Sequence, residues 1–293
     1  MNYSTQIDTV AIQIDCNTTQ EQRELLKSLL GFTIATGLFI DSKDQILGIN
    51  TIKREYLIYS NNTILATINT GAFRTGSYKN SYEMKYYINI KFAGLKSYNE
   101  ILDQASNSYL MTTCAFLNTF DIAFKLTELD VCIDIESPFD NLLAICTKKS
   151  PKTNYYSFED SQAYDTTTYI EKISKKKLKT AVLRAYLYDK SHKENLDYSI
   201  TRFELKLQPK YFNKYGFSIN SIKKALDRYY VMYFEDLEEK HSTMEAYNNY
   251  NSIRKREIKR LGLDNYRITA NMEYIENFLT NLQNINYKHL LVN

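Results

Sequence analysis

Apolar and polar residues alternate strictly through Leu126–Ile135. Leu129, Val131, Ile133 and Ile135 fall on one face, and Glu128, Asp130 and Asp134 on the other. A period of two marks a strand whose successive side chains point to opposite sides of a sheet. Acidic residues are poor strand formers, and like charges on one face repel. Two readings account for the pattern: a cation bound over the acids, or the solvated polar face of an antiparallel sheet. Ala181–Lys190 alternates in the same way and puts Arg184, Tyr186, Tyr188 and Lys190 on one face. In Ile200–Gln208, Phe203, Leu205 and Leu207 oppose Arg202, Glu204 and Lys206. Paired as antiparallel neighbours, these last two strands would gather a tyrosine, a lysine and a glutamate on one surface. Hard divalent cations take carboxylate oxygens as ligands, and a metal beside a tyrosine and a lysine is equipment for attack on a phosphodiester.

The rest of the chain reads as an ordered series of elements. Ile7–Asp15 alternates as a strand, and Thr18 or Thr19 then caps a helix through about Gly31, with Leu25, Leu26, Leu29 and Leu30 at helical spacing. Strand-like runs follow at 45–60, 63–70 and 83–93, with Asn61-Asn62 as a tight turn, and a helical stretch covers 97–119. The pattern then restarts. The acidic strand is followed by a predicted helix at 138–148 after Ser137-Pro138, strand-like runs at 154–158, 166–173, 180–190 and 199–209, and a helix from about 218. Strand, helix, several strands and helix thus occur twice, and the two leading strands end alike in Gln13-Ile14-Asp15 and Cys132-Ile133-Asp134. The expected fold is α+β: a broad antiparallel sheet from two fused, similarly ordered halves, with a C-terminal helical extension. The expected division is 1–120, a structural or DNA-positioning half; 121–215, the half with the acids, Tyr188 and Lys190; and 216–293, a charged helical region in which Gly262 ends a helix.

Composition narrows the classes. The 293 residues allow one large domain or two units of about 100–150 residues. A hydrophobic content of 44% is enough for a core. No apolar run approaches the roughly 20 residues that span a bilayer. The N-terminus has neither a basic start nor an apolar stretch, so no signal peptide and no membrane partner are expected. Cys16, Cys114, Cys132 and Cys146 form no CxxC pair and read as buried small hydrophobes, which suits a reducing cytoplasm. His192, His241 and His289 lie far apart and argue against a histidine-built metal site. The net charge of +3 is uninformative, but the charges cluster. Lys172, Lys175, Lys176, Lys177 and Lys179 crowd one segment, and Arg254, Lys255, Arg256, Lys259 and Arg260 another. Each cluster suits phosphate contacts or, equally, a solvated face. With 26 tyrosines, no single one is informative by type alone.

Three motifs, in order, resemble those of the staphylococcal-type plasmid rolling-circle replication initiators (the Rep_trans replication initiation factors), a family that includes filamentous-phage replication proteins and some conjugative relaxases. The acidic strand is Glu128-Leu129-Asp130-Val131-Cys132-Ile133-Asp134, the nucleophile strand Leu187-Tyr188-Asp189-Lys190, and the following strand Arg202-Phe203-Glu204-Leu205-Lys206-Leu207. Tyr87–Phe92 sits where the family has a strand before a long helix. The likeness covers roughly 85–210. It departs from the family at Glu128, where an arginine is usual, and at Tyr169-Ile170-Glu171, where the family has Tyr-x-Gly.

The resemblance implies a metal-dependent DNA nickase and strand transferase. Tyr188 would attack a phosphodiester at the replication origin and form a 5′-phosphotyrosine, and the freed 3′-hydroxyl would prime synthesis. Asp130, Asp134 and Glu204 would hold Mg²⁺ or Mn²⁺, and Lys190 would stabilise phosphate charge or lower the phenol's pKa. Asp189 points away from that face by alternation, and Tyr186 is the alternative nucleophile. The substrate would be single-stranded or hairpin DNA at the nick, with Lys175, Lys176, Lys177, Arg254, Lys255, Arg256 and Lys259 as candidate DNA contacts and the basic stretch 253–260 of the C-terminal region as the candidate reader of nearby origin duplex. A host helicase and a homodimer are further expectations from the resemblance. A relaxase or phage protein with the same chemistry and a non-catalytic DNA-binding regulator are the alternatives.

Overall fold

A computed structural model of the chain describes residues 1–48, 51–75, 83–146, 156–157, 167–170, 183–249, 259–260 and 262–284. The first alternating run forms β1 (Tyr3–Cys16). Thr18 caps α1 (Thr19–Ala35): its hydroxyl accepts from the Glu21 amide at 3.1 Å, and the Glu21 carboxylate accepts from the Asn17 amide at 2.7 Å. Four antiparallel strands follow: β2 (Phe39–Gly48), β3 (Thr51–Ser60), β4 (Thr63–Thr75) and β5 (Glu83–Phe92). The run expected at 45–60 is therefore the end of one strand and the whole of the next. Asn61 and Asn62 make the two-residue β3–β4 turn with φ of 46° and 66°, the left-handed backbone that tight hairpins require and asparagine tolerates. Asn99 caps α2 (Glu100–Thr119).

The second half begins with β6 (Lys125–Ile135), a 3₁₀ turn (Phe139–Asn141) and β7 (Leu142–Cys146). The helix expected at 138–148 is thus a turn and a strand. Leu142–Cys146 is buried at every position, and so short an apolar run has no period to tell strand from helix. Its pairing with a later strand decides the matter. Next come β8 (Tyr156–Ser157), β9 (Thr167–Tyr169), β10 (Leu183–Asp189), α3 (Lys190–Glu194) and β11 (Thr201–Leu207). The C-terminal region holds α4 (Pro209–Tyr215), α5 (Ile219–Leu226), β12 (Tyr229–Tyr233), α6 (Leu237–Asn249), a 3₁₀ turn (Leu263–Tyr266), β13 (Arg267–Ile268) and α7 (Met272–Asn284). It is less purely helical than expected, because β12 joins β7 and β13 in a three-stranded sheet.

The fold is α+β, and among the described residues ten strands form a large antiparallel sheet. The chain divides into two compact units. One comprises Asp8–Leu129 and the chain from Phe278, with strand order β2-β3-β4-β5-β1. In it α1 and α2 pack through Phe32 and Phe116, whose rings stack at 4.5 Å, and through a 2.8 Å hydrogen bond between Thr33 and Tyr109. The other unit comprises Met1–Ile7 and Asp130–Asn277, with strand order β6-β11-β10-β9-β8. Its core lies on the apolar face of β6 and β11, where Val131, Ile133, Ile135, Phe203, Leu205 and Leu207 are buried. The Phe203 ring meets Tyr229 of the small sheet at 5.8 Å. Burying each such side chain contributes about 1.5–3 kcal/mol. With that face covered, the acidic face of the same strands is the one left to build a site. No helix among the described residues is long and apolar enough to cross a membrane.

Candidate active site

Antiparallel register brings the motif residues together. Tyr186 lies opposite Glu204 and Tyr188 opposite Arg202 across β10 and β11. Diagonal neighbours on one face of such a pair are within reach of long side chains, and the Tyr188 hydroxyl donates to Glu204 Oε2 at 2.8 Å. Lys206 Nζ donates to the other Glu204 oxygen, Oε1, at 2.6 Å and to Asp130 Oδ2 on β6 at 3.0 Å. Farther along the same strands, Arg202 grips Asp134 with two bonds, Nε to Oδ1 at 2.6 Å and Nη2 to Oδ2 at 2.9 Å. Asp130, Asp134, Arg202 and Glu204 are all buried. The acidic face is therefore no solvated surface but a buried network of paired charges.

This network opens into a cavity of about 210 Å³ lined by Thr167, Tyr186, Tyr188, Lys193, Glu204 and Lys206. Lys193 comes from α3, a turn whose position follows from its two ends. The Asp189 carboxylate accepts from the His192 amide at 2.9 Å and starts it, and Asn195 ends it in the left-handed conformation at φ 52°. That turn brings Lys193 Nζ to 5.2 Å from the centre of the Tyr188 ring. It also gives Lys190 a helical setting. The strand stops at Asp189, so alternation no longer applies. Lys190 is buried as the first residue of α3 and bonds Glu194 at 2.7 Å. The lysine over the tyrosine is Lys193, which the strand pattern missed. Its sequence signal is the bracket of Asp189 and Asn195 around a single turn.

The electrostatics follow from burial. Burial, and then the negative charge of Glu204, push the Tyr188 hydroxyl well above its ordinary pKa, and the opposing charge of Arg202 does not offset them. Burial opposes the charge on Glu204, but the Lys206 ammonium and the Tyr188 hydroxyl outweigh it and hold the carboxyl below its usual range. Burial likewise opposes the charge on Lys206, and Asp130 and Glu204 overcome it, raising its pKa. The resting site is a neutral phenol donating to a carboxylate that a lysine keeps ionised.

The expected metal ligands are divided between two cations of the chain itself. Asp130 and Glu204 converge on Lys206, and Asp134 is engaged by Arg202. Among the described residues, no three Asp, Glu, His or Cys side chains are grouped to hold a metal ion. As arranged, these donors do not fit a divalent cation. Glu128, which stands where the resembling family has an arginine, pairs with Lys91 at 2.6 Å. Lys175, Lys176, Lys177, Arg254, Lys255 and Arg256 lie outside the described residues, as does Glu171. Lys259 and Arg260 are helical and exposed.

No family model matches the sequence, and no curated protein matches it. Among solved structures, the chain is similar to a rolling circle replication initiator protein from Geobacillus stearothermophilus, with 12% identity over 97% of this chain and 98% of that one, at a TM-score of 0.42.

Proposed function

We propose that this protein nicks and rejoins DNA through a covalent bond to Tyr188, and that it does so as the initiator of rolling-circle replication. The observation that carries the reading is the Tyr188 hydroxyl donating to Glu204 at 2.8 Å at the wall of a cavity that also exposes Lys193 and Lys206. A tyrosine used only for packing needs no such carboxylate. A nucleophile held neutral by burial needs a base that accepts its proton as the bond to phosphorus forms. Glu204 is placed for that role. The ordered motifs around Tyr188, Asp130 and Glu204 supply the choice of DNA as substrate.

The Tyr188 oxygen attacks phosphorus, and its proton passes to Glu204. The bond from phosphorus to the 3′-oxygen breaks, and that oxygen takes a proton from water. The products are a 5′-phosphotyrosine and a free 3′-hydroxyl that can prime synthesis. Because the phosphotyrosine conserves the bond energy, a second 3′-hydroxyl can reverse the step with no nucleotide cofactor. Lys193 and Lys206 face the cavity from which the phosphate would approach, where their charge opposes the negative charge that grows during transfer. The cavity is a pocket in the sheet face, and a base-stacked duplex presents no phosphate in line with a buried phenol. The substrate is accordingly single-stranded or extruded in a hairpin.

The test is cleavage of labelled single-stranded oligonucleotides that tile the element encoding this chain, resolved on a denaturing gel. The wild type is expected to leave a protein-bound 5′ end. Tyr188→Phe is expected to lose it entirely, and Tyr186→Phe to keep it. Loss in Tyr186→Phe alone would move the nucleophile. Tight origin binding with no adduct in any variant would replace the nickase with a DNA-binding regulator.

A further inference from the structure

We infer that Lys206 is the resident cation of this site, occupying the place between Asp130 and Glu204 that a divalent metal would need, so that transfer at Tyr188 runs on lysine charge. The statement about transfer rests on the nickase reading; the statement about the cation does not.

Four observations on one sheet face support it. First, the ammonium bridges the two carboxylates, at 3.0 Å to Asp130 and 2.6 Å to Glu204. Those are the oxygens that would otherwise come together around an ion. Second, both carboxylates are buried, Asp130 completely. Two buried like charges side by side are tolerated only with a compensating cation, and Lys206 already supplies it. A metal entering beside it would meet an ammonium in its own ligand shell. Third, the acid that would complete a set of three is diverted, since Arg202 takes both oxygens of Asp134. Hard dications seek six or more oxygens and gain little from two carboxylates already shared with a lysine. Fourth, Lys206 is also open to the cavity, with 28% of its side chain exposed. An ammonium has three donors. Two reach Asp130 and Glu204, which leaves a third for a phosphate oxygen. Lys193, on the Tyr188 ring, provides a second charge at the same cavity. The site thus carries its own electrophilic equipment.

The test has an arm independent of catalysis. Mn²⁺ binding to the full chain is measured by electron paramagnetic resonance, without DNA, for wild type, Asp130→Asn and Lys206→Met. Wild type is expected to bind no more tightly than Asp130→Asn. Lys206→Met, which keeps the apolar stem but removes the ammonium and frees the two carboxylates, is expected to bind about tenfold or more tightly than wild type. In the second arm, adduct formation by wild type is expected to be equal in EDTA and in Mn²⁺. Lys206→Met is expected to lose roughly 100-fold in EDTA and to recover with Mn²⁺. Tight Mn²⁺ binding by wild type that Asp130→Asn abolishes, or an adduct that EDTA removes and Mn²⁺ restores, overturns the inference. If Lys206→Met does not melt cooperatively, the wild-type and Asp130→Asn comparisons decide it. If wild type forms no adduct under any condition, the nickase reading fails, and the Mn²⁺ arm still decides which cation the site holds.

Discussion

At the scale of single residues, the site is governed by what a buried charge requires. Arg202 is fully buried and Asp134 is 5% exposed, and they meet in a two-bond fork. Removing one member of such a pair leaves the other uncompensated and costs about 3–5 kcal/mol, whereas replacing both with apolar residues is often close to neutral. Asp134→Ala should therefore lower the urea midpoint sharply, and the double variant Asp134→Leu/Arg202→Met should recover most of the loss. A single variant as stable as wild type would show the pair to be dispensable. Glu204 makes a second case, through pH. Its folded-state carboxyl lies below the ordinary value because Lys206 and Tyr188 outweigh burial. A depressed carboxyl contributes stability that is complete above the unfolded pKa and is lost as pH falls through the folded one. Chemical unfolding at a series of pH values should give wild type a steeper loss than Glu204→Gln below about pH 4.5. The two slopes should agree above about pH 6. Equal slopes throughout would mean that Glu204 is not held ionised by its neighbours.

At the scale of elements, the turn after the nucleophile strand matters most. α3 is five residues long and cannot persist on helix propensity. Its cap at Asp189 and the pairing of Lys190 with Glu194 hold it, and it in turn carries Lys193 to the Tyr188 ring. Asp189→Ala should cost about 1 kcal/mol of stability, as the loss of a cap does. Its effect on adduct formation should be larger than that small loss implies, because Lys193 moves with the turn. Adduct formation unchanged from wild type would detach Lys193 from the chemistry. This element also marks the limit of what the sequence disclosed. Alternation placed Tyr188, Arg202, Glu204, Lys206, Asp130 and Asp134 on polar faces, and the structure brings all six onto one surface. Alternation said nothing of Lys193, because a period of two holds only while the strand lasts and an aspartate cap ends it at Asp189. It failed at Leu142–Cys146 because a uniformly buried run has no period. The sequence also showed Lys206 beside Glu204 without showing that Asp130 would meet it. That requires β6 and β11 to be neighbours, and strand order is a property of the sheet, not of any one strand.

At the scale of the whole molecule, the unit bearing the site is discontinuous in sequence. Met1–Ile7 belongs with Asp130–Asn277, although more than a hundred residues separate them. Within that unit the Glu136 amide donates to the Asn2 carbonyl at 3.0 Å, and the Asn271 amide donates to the Thr5 hydroxyl at 2.7 Å. Thr5 and Ile7 are buried. The first residues of β1 thus lie beside the far end of β6, the strand whose Asp130 and Asp134 organise the charge network. Without them that end of β6 becomes a sheet edge with unpaired amides and carbonyls. The buried backbone groups it exposes must be rehydrated at a cost in stability. Deleting residues 1–7 should therefore lower the urea midpoint and reduce adduct formation at Tyr188, although no deleted side chain lines the cavity. A synthetic peptide of residues 1–16 added in trans should restore part of both, since an exposed strand edge can take up an added strand. A deletion variant that melts and reacts like the full chain would show that the site is organised by Asp130–Asn277 alone. Rescue by the peptide would instead show that the charge network depends on a strand contributed from the other end of the sequence.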